Sequence, residues 1–186
     1  MNKIILGFVG PIASGKGTVC KYLTEKHDAK IFRVSTMLRD VLDRFYIPQS
    51  RENMQAVSSS LRQTFGDDLM AKTIAQDVAG VNAAIVAVDG VRREPDIKYL
   101  REIPGFYLVA INADMKIRYD RITRRGENVD DTKKTFAEFT ADHEKEAELQ
   151  IKEVAKLANF QINNDGTLDD LYRQIDDIIY QIQSSN

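Results

Sequence analysis

Gly10-Pro11-Ile12-Ala13-Ser14-Gly15-Lys16-Gly17-Thr18 follows an apolar run, Ile4-Ile5-Leu6-Gly7-Phe8-Val9, and leads into a helical pattern. It is the G-x-x-x-x-G-K pattern, with Gly17 in the slot usually held by serine or threonine. Glycines let a backbone turn so that several N–H groups point inward. The helix that begins near Lys16 adds the positive end of its dipole. The stretch therefore reads as a phosphate cradle built from Gly10, Ser14, Gly15, Gly17 and Thr18. Lys16 is expected to reach the β- and γ-phosphates, and the Thr18 hydroxyl to donate to phosphate. A chance glycine-rich turn would not come with strand, loop and helix in the required order. Gly17 offers no hydroxyl to magnesium. The ion is then expected to be held mainly by phosphates and water, with Thr18 and Asp89 as metal-side residues acting mostly through water.

Outward from the loop, apolar runs at 4–9, 83–88, 106–111 and 160–163, and a weaker one at 31–34, read as strands. Their apolar character is continuous rather than alternating, which suits parallel strands covered on both faces. Helical patterns lie between them at 15–26, 36–45 (with Ser35 as N-cap), 53–65, 68–78, 96–101 and 115–124. A long charged helix is expected over 132–157. A last one over 167–183 carries Leu168, Leu171, Ile175, Ile178 and Ile182 on one face. This alternation predicts an α/β fold, a five-stranded parallel sheet with helices on both faces in three layers. Ligands in such sheets bind at the carboxyl ends of the strands. No repeat or Pro/Gly/Ser-rich linker divides the chain, so one domain over 1–186 is expected.

The 186 residues include 26 basic and 28 acidic side chains, a formal net charge of -2. That balance argues against a dedicated nucleic-acid binder. Cys20 is the one cysteine, so an internal disulfide is excluded and a reduced cytoplasm is the expected setting. No apolar run approaches the length of a membrane span.

On these residues the sequence resembles the nucleoside monophosphate kinase family, adenylate and UMP/CMP kinases in particular, which carry G-K-G-T in this loop. The resemblance implies a P-loop kinase fold, ATP and Mg2+ as cofactors, and γ-phosphate transfer to a small phosphate-bearing acceptor. Val34-Ser35-Thr36-Met37-Leu38-Arg39 is similar to the family's acceptor segment, two residues shorter than in adenylate kinases. It marks Thr36 and Arg39 for acceptor binding, within a helical insertion at about 35–80; Arg39 also reads as a surface arginine of an amphipathic helix. Val88-Asp89-Gly90-Val91-Arg92-Arg93 is similar to D-G-F-P-R. It implies that Arg93, with Arg92 beside it, grips the acceptor phosphate. Asp89 there is either a turn-forming aspartate or a carboxylate that orients magnesium-bound water.

The run from Arg118 to Asp131 is similar to the short lid of UMP/CMP-type kinases, here about 121–131. Its arginines would stabilise charge on the migrating phosphoryl group, with Arg121 and Arg125 first, beside Lys16, Arg93 and Asp89 as catalytic residues. The family arginine in the following helix has no counterpart; Lys133, Lys134 and His143 are the substitutes. Ile162-Asn163-Asn164-Asp165-Gly166-Thr167 resembles the adenine-side loop of dephospho-CoA kinases and deoxynucleoside monophosphate kinases, with Asn163 and Gly166 meeting the base; an ordinary Asn-Asp-Gly turn competes. Leu61-Arg62-Gln63-Thr64-Phe65-Gly66-Asp67 fits that same branch. The acceptor therefore stays open between a nucleoside monophosphate and dephospho-CoA or another small molecule. A hydroxyl acceptor would call on Asp40 or Asp89 as base. A non-catalytic nucleotide-binding module is the third reading. A monomer or small homo-oligomer is expected.

Overall fold

The computed structural model describes residues 3–125, 135–142 and 146–185. Five strands form one parallel sheet: β1 (Ile4–Val9), β2 (Lys30–Arg33), β3 (Ile85–Val91), β4 (Phe106–Asn112) and β5 (Phe160–Asn163), in the order β2-β3-β1-β4-β5. The described helices are α1 (Lys16–His27), α2 (Val34–Arg44), α3 (Arg51–Phe65), α4 (Leu69–Gly80), α5 (Glu94–Lys98), α6 (Met115–Arg125), α7 (Phe136–Asp142), α8 (Glu146–Ala155) and α9 (Leu168–Ser184). This is the three-layer α/β architecture expected from the sequence.

The continuous apolar strands follow from burial on both faces. Ile4, Leu6 and Phe8 of β1 pack against Val19, Cys20 and Leu23 of α1 and Leu171, Ile175 and Ile178 of α9. Ile5 and Val9, on the opposite face, join Ile74 and Val78 of α4 and Ile151 and Val154 of α8. Each such aliphatic side chain withdrawn from water stabilises the fold by about 1.5–3 kcal/mol. The central β1 carries all six of its residues buried, so it holds the loop that follows it on the most rigid part of the sheet.

Several element boundaries differ from the sequence expectation. β3 runs to Val91 rather than stopping at 88, because β1 stays paired to it through a bulge between Phe8 and Val9. Asp89 and Gly90 thus belong to the strand end. The Arg33–Asp89 register holds β2 in place until the chain turns directly into α2, so Arg33, not Ser35, occupies the N-cap position. Within the span of the expected long charged helix, the described residues form α7 and α8. Thr135 is non-helical and starts α7: its backbone N–H donates to the Glu138 carboxylate, and its hydroxyl accepts from the Glu138 N–H, a capping box. Leu168 is exposed at the first position of α9, and Ile179 joins the buried stripe. No helix among the described residues is long and apolar enough to cross a membrane.

Candidate active site

The loop between Val9 and Lys16 is shaped by close approaches that only glycine allows. A Cβ on Gly10 would lie 2.2 Å from the Ile111 carbonyl oxygen of β4. Gly15, the N-cap of α1, has φ 110°, and a Cβ there would lie 2.2 Å from Nδ2 of Asn164. Ala13 takes a left-handed backbone at φ 60°, an unfavourable conformation for a residue with a Cβ. Lys16 reaches back across the loop, its Nζ donating to the carbonyls of Gly10 (2.6 Å) and Pro11 (3.0 Å). Ser14 is fully buried, and its Oγ has no hydrogen-bond partner among the described residues.

A buried polar scaffold behind the loop fixes that shape. Asn164, after β5, donates from Nδ2 to the Ser14 carbonyl at 2.8 Å, and its own N–H donates to the Asn112 carbonyl of β4. Arg121 donates from Nη2 to the Asn164 carbonyl at 2.8 Å, while its buried Nη1 has no partner among the described residues. Burial pushes the Arg121 pKa down, opposed by the nearby charge of Asp165. One turn earlier on α6, Arg118 is buried, donates from Nε to the Ala113 carbonyl at 3.0 Å and places Nη1 3.4 Å from the Ile12 carbonyl. Two arginines of α6 thus brace the loop and its partner, rather than both reaching outward.

On the other side of the loop, the ends of β2 and β3 bring together Arg33 and Asp89, with Nε 2.8 Å from Oδ2. The two groups form an ion pair without an aligned hydrogen bond, for the buried Nε satisfies no hydrogen-bond geometry. Beneath them lies Cys20: burial pushes its thiol up to about 12, Asp89 adds to the rise, and Arg33 and Lys16 oppose it. That thiol is a core group, not a nucleophile. A cleft of about 280 Å³ opens here, lined by Gly17, Lys21, Arg33 and Thr36 among others.

Arg92 and Arg93 leave the sheet just beyond the Val9–Val91 pair, beside the loop. Asp96 collects both backbone N–H groups and sits 3.3 Å from the Arg93 guanidinium. Arg62 approaches from α3, its Nη2 3.9 Å from the Met70 sulfur and its buried Nε without a partner among the described residues. Burial first, then the charge of Arg93, pushes its pKa down, with Asp96 and Asp67 opposing. Arg62 and Arg93 thus lie within reach of each other's charge.

The structure therefore gathers Gly10, Ser14, Gly15, Lys16, Gly17, Thr18, Thr36, Asp89 and Arg93 around one loop. Arg39 and Arg92 stand exposed. Asn163 is taken up by local bonds: its Nδ2 donates to Asp165 and its Oδ1 accepts from the Asp165 N–H. Gly166 sits against the Asp170 carboxylate that caps α9. The Arg125 side chain, Lys133, Lys134, His143 and the lid residues 126–131 lie outside the described residues. Arg33, Arg62, Arg118 and Asn164 escaped the sequence reading as site residues. Arg33 closes a weak apolar run, and Asn164 looks like one more turn residue; neither carries a local signal. Arg62 stood in a stretch that was noticed only for its resemblance.

A magnesium ion is commonly associated with such loops, and the donor set for it is poor here. Gly17 has no hydroxyl, Asp89 is paired with Arg33, and among the described residues no three His, Cys, Asp or Glu side chains cluster to hold a metal.

Residues 6–159 match the family AAA_18, described as an AAA domain, and the chain belongs to that family. A UPF0200 protein from Methanoregula boonei is 28% identical over 180 residues, covering 96% of this chain and 97% of its own length. Among solved structures, TT1252 from Thermus thermophilus superimposes with a TM-score of 0.61 at 15% identity, covering 97% of this chain and 98% of its own. The shikimate kinase from Acinetobacter baumannii gives 0.58 at 15% identity, covering 97% and 94%. The sheet and its helices thus have a P-loop kinase-like fold. The finer resemblance to nucleoside monophosphate kinases rests on the motifs alone.

Proposed function

We propose that this protein is an ATP-dependent phosphotransferase that moves the γ-phosphate onto a nucleoside monophosphate. The observation that supports the reading is the glycine-shaped loop spanned by Lys16 at the carboxyl edge of the sheet, beside the strand end that leads to Arg93. The Gly10–Thr18 loop and Lys16 suit a polyphosphate, and the neighbouring Arg93–Arg62 pair suits a second phosphate. Phosphoryl transfer asks the protein for positioning and charge stabilisation more than covalent help. Lys16 would leave its loop carbonyls for the β- and γ-phosphates. Thr36 and Arg39 would meet the acceptor from the helical insertion at 35–80. Arg121, Arg125 and the 121–131 lid would exclude water over the moving group. Magnesium would travel with the ATP phosphates rather than on protein ligands.

A phosphate acceptor is already an anionic nucleophile and needs no base, which agrees with Asp89 being tied to Arg33. The second reading is a hydroxyl acceptor that carries a phosphate or carboxylate, dephospho-CoA among them, since the Arg62–Arg93 pair would hold either anion. It would need Asp89 released from Arg33, or the exposed Asp40, as base.

The test is ADP release from magnesium-ATP against AMP, CMP, UMP, GMP, their deoxy forms and dephospho-CoA, with a no-acceptor control. Release that depends on one monophosphate supports the proposal. Release with dephospho-CoA alone moves the assignment to the second reading, and no acceptor-dependent release across the panel rejects the first.

A further inference from the structure

Position 17 is where a loop of this pattern usually places the hydroxyl that holds magnesium, and here it is glycine. What stands in the space beside it is a charge. Nη2 of Arg33 lies 3.9 Å from where a Cβ on Gly17 would be. The guanidinium is oriented by Asp89, whose Oδ2 is 2.8 Å from Nε. It also borders the cleft of about 280 Å³ that opens onto Gly17 and Thr36. Nε is buried, Nη2 is the guanidinium atom recorded beside Gly17, and the side chain also hydrogen-bonds the Cys20 thiol beneath it. On the opposite side of α1's first turn, Lys16 spans the loop.

We propose that Arg33 takes over the work of the missing metal-holding hydroxyl. Its guanidinium supplies positive charge to the β- and γ-phosphate oxygens on the Gly17 side of the cradle, so ATP binds with little dependence on magnesium. Asp89 is then a positioning residue that aims Arg33, rather than a metal-side carboxylate. The inference rests on the reading that the loop binds ATP. It goes beyond that reading by naming a residue for which the loop pattern has no place. A guanidinium suits the role because its forked donors match phosphate oxygens, and its charge is permanent.

The experiment is calorimetric binding of ATP in magnesium chloride and in EDTA, with melting curves recorded on every variant. Wild type is expected to lose less than about 10-fold in affinity when magnesium is chelated. Arg33→Gln should weaken magnesium-free binding by about 10–100-fold, the range for one or two charge-assisted contacts to phosphate. Arg33→Lys should retain part of the binding. Gly17→Ser placed on Arg33→Gln should restore binding in magnesium and not in EDTA, a rescue that a purely structural role for Arg33 would not give. Arg33→Gln with Asp89→Asn removes the lone carboxylate, so loss of the pair can be separated from loss of the fold. The proposal is overturned if wild type and Arg33→Gln show the same magnesium dependence while Lys16→Ala still abolishes binding; the nucleotide reading then stands. Wild type that binds no ATP in either buffer overturns both.

Discussion

The side-chain amide of Asn164 donates to the carbonyl oxygen of Ser14 at 2.8 Å, tying two loops 150 residues apart in sequence. Asn164 is buried, so Asn164→Ala strands the Ser14 carbonyl and opens a small void. We expect a loss of about 1–3 kcal/mol in stability together with weaker nucleotide binding. Urea unfolding and nucleotide titration check it, and unchanged midpoints and affinity would remove Asn164 from the site.

Gly15 and Gly17 should respond in opposite ways to alanine. At Gly15, φ is 110° and the new Cβ would fall 2.2 Å from the Asn164 amide, so backbone strain and a broken clamp combine. Gly17 has ordinary helical backbone and a nearest neighbour at 3.9 Å, so alanine there should gain up to about 1 kcal/mol of helix propensity. Melting temperatures of the two variants, compared side by side, test the contrast.

Lys16→Ala removes the cation from the cradle and leaves the core untouched. Phosphoryl transfer should fall by about two to three orders of magnitude, the scale of losing one charge-stabilising donor, with circular dichroism unchanged. Near-normal turnover would sink the assignment of the loop.

Arg62→Ala and Arg93→Ala should raise the acceptor KM by about 10-fold or more, as expected for loss of a charge-assisted contact, and leave the ATP KM nearly unchanged. Equal effects on both substrates would place the pair elsewhere than at the acceptor.

Stability should depend on pH through Asp176. Burial works to raise its carboxyl, but hydrogen bonds from Lys26, Tyr22 and His27 prevail and hold it below the ordinary 3.8. A carboxyl lowered by folding stabilises the native state above its unfolded value, and that contribution fades as pH falls through the lower folded value. Lys26, pushed up to about 12 chiefly by its bond to Asp176, loses its share as pH rises above 10.5. Asp176→Asn should therefore melt several degrees below wild type at pH 7, and the gap should narrow as pH falls below 3.8. Parallel curves across that range would contradict the arrangement.

The sheet and the cradle could be read from sequence because their signals are local: apolar runs bounded by turns, and glycines at fixed spacing. Boundaries went astray where a tertiary partner decides them. Asp89 and Gly90 look like a turn until β1 extends the pairing past them. Ser35 looks like a cap until β2 carries straight on into α2. Half of the site was hidden for the same reason. Arg33 meets Asp89, Arg62 meets Arg93, and Asn164 meets Ser14 only after distant elements have come together. Among the lid arginines, Arg121 was picked for charge, yet its most evident bond is to a backbone carbonyl.

The way β1 is embedded has a consequence for how the molecule comes into being. Its neighbours on either side, β3 and β4, arrive roughly eighty and a hundred residues later, and the amide that clamps its loop comes from residue 164. During synthesis β1 must wait, with its apolar side chains uncovered, for the strands that will flank it. Long-range pairing of this kind slows folding and leaves sticky intermediates. The glycine loop is thus made well before the parts that hold it in shape.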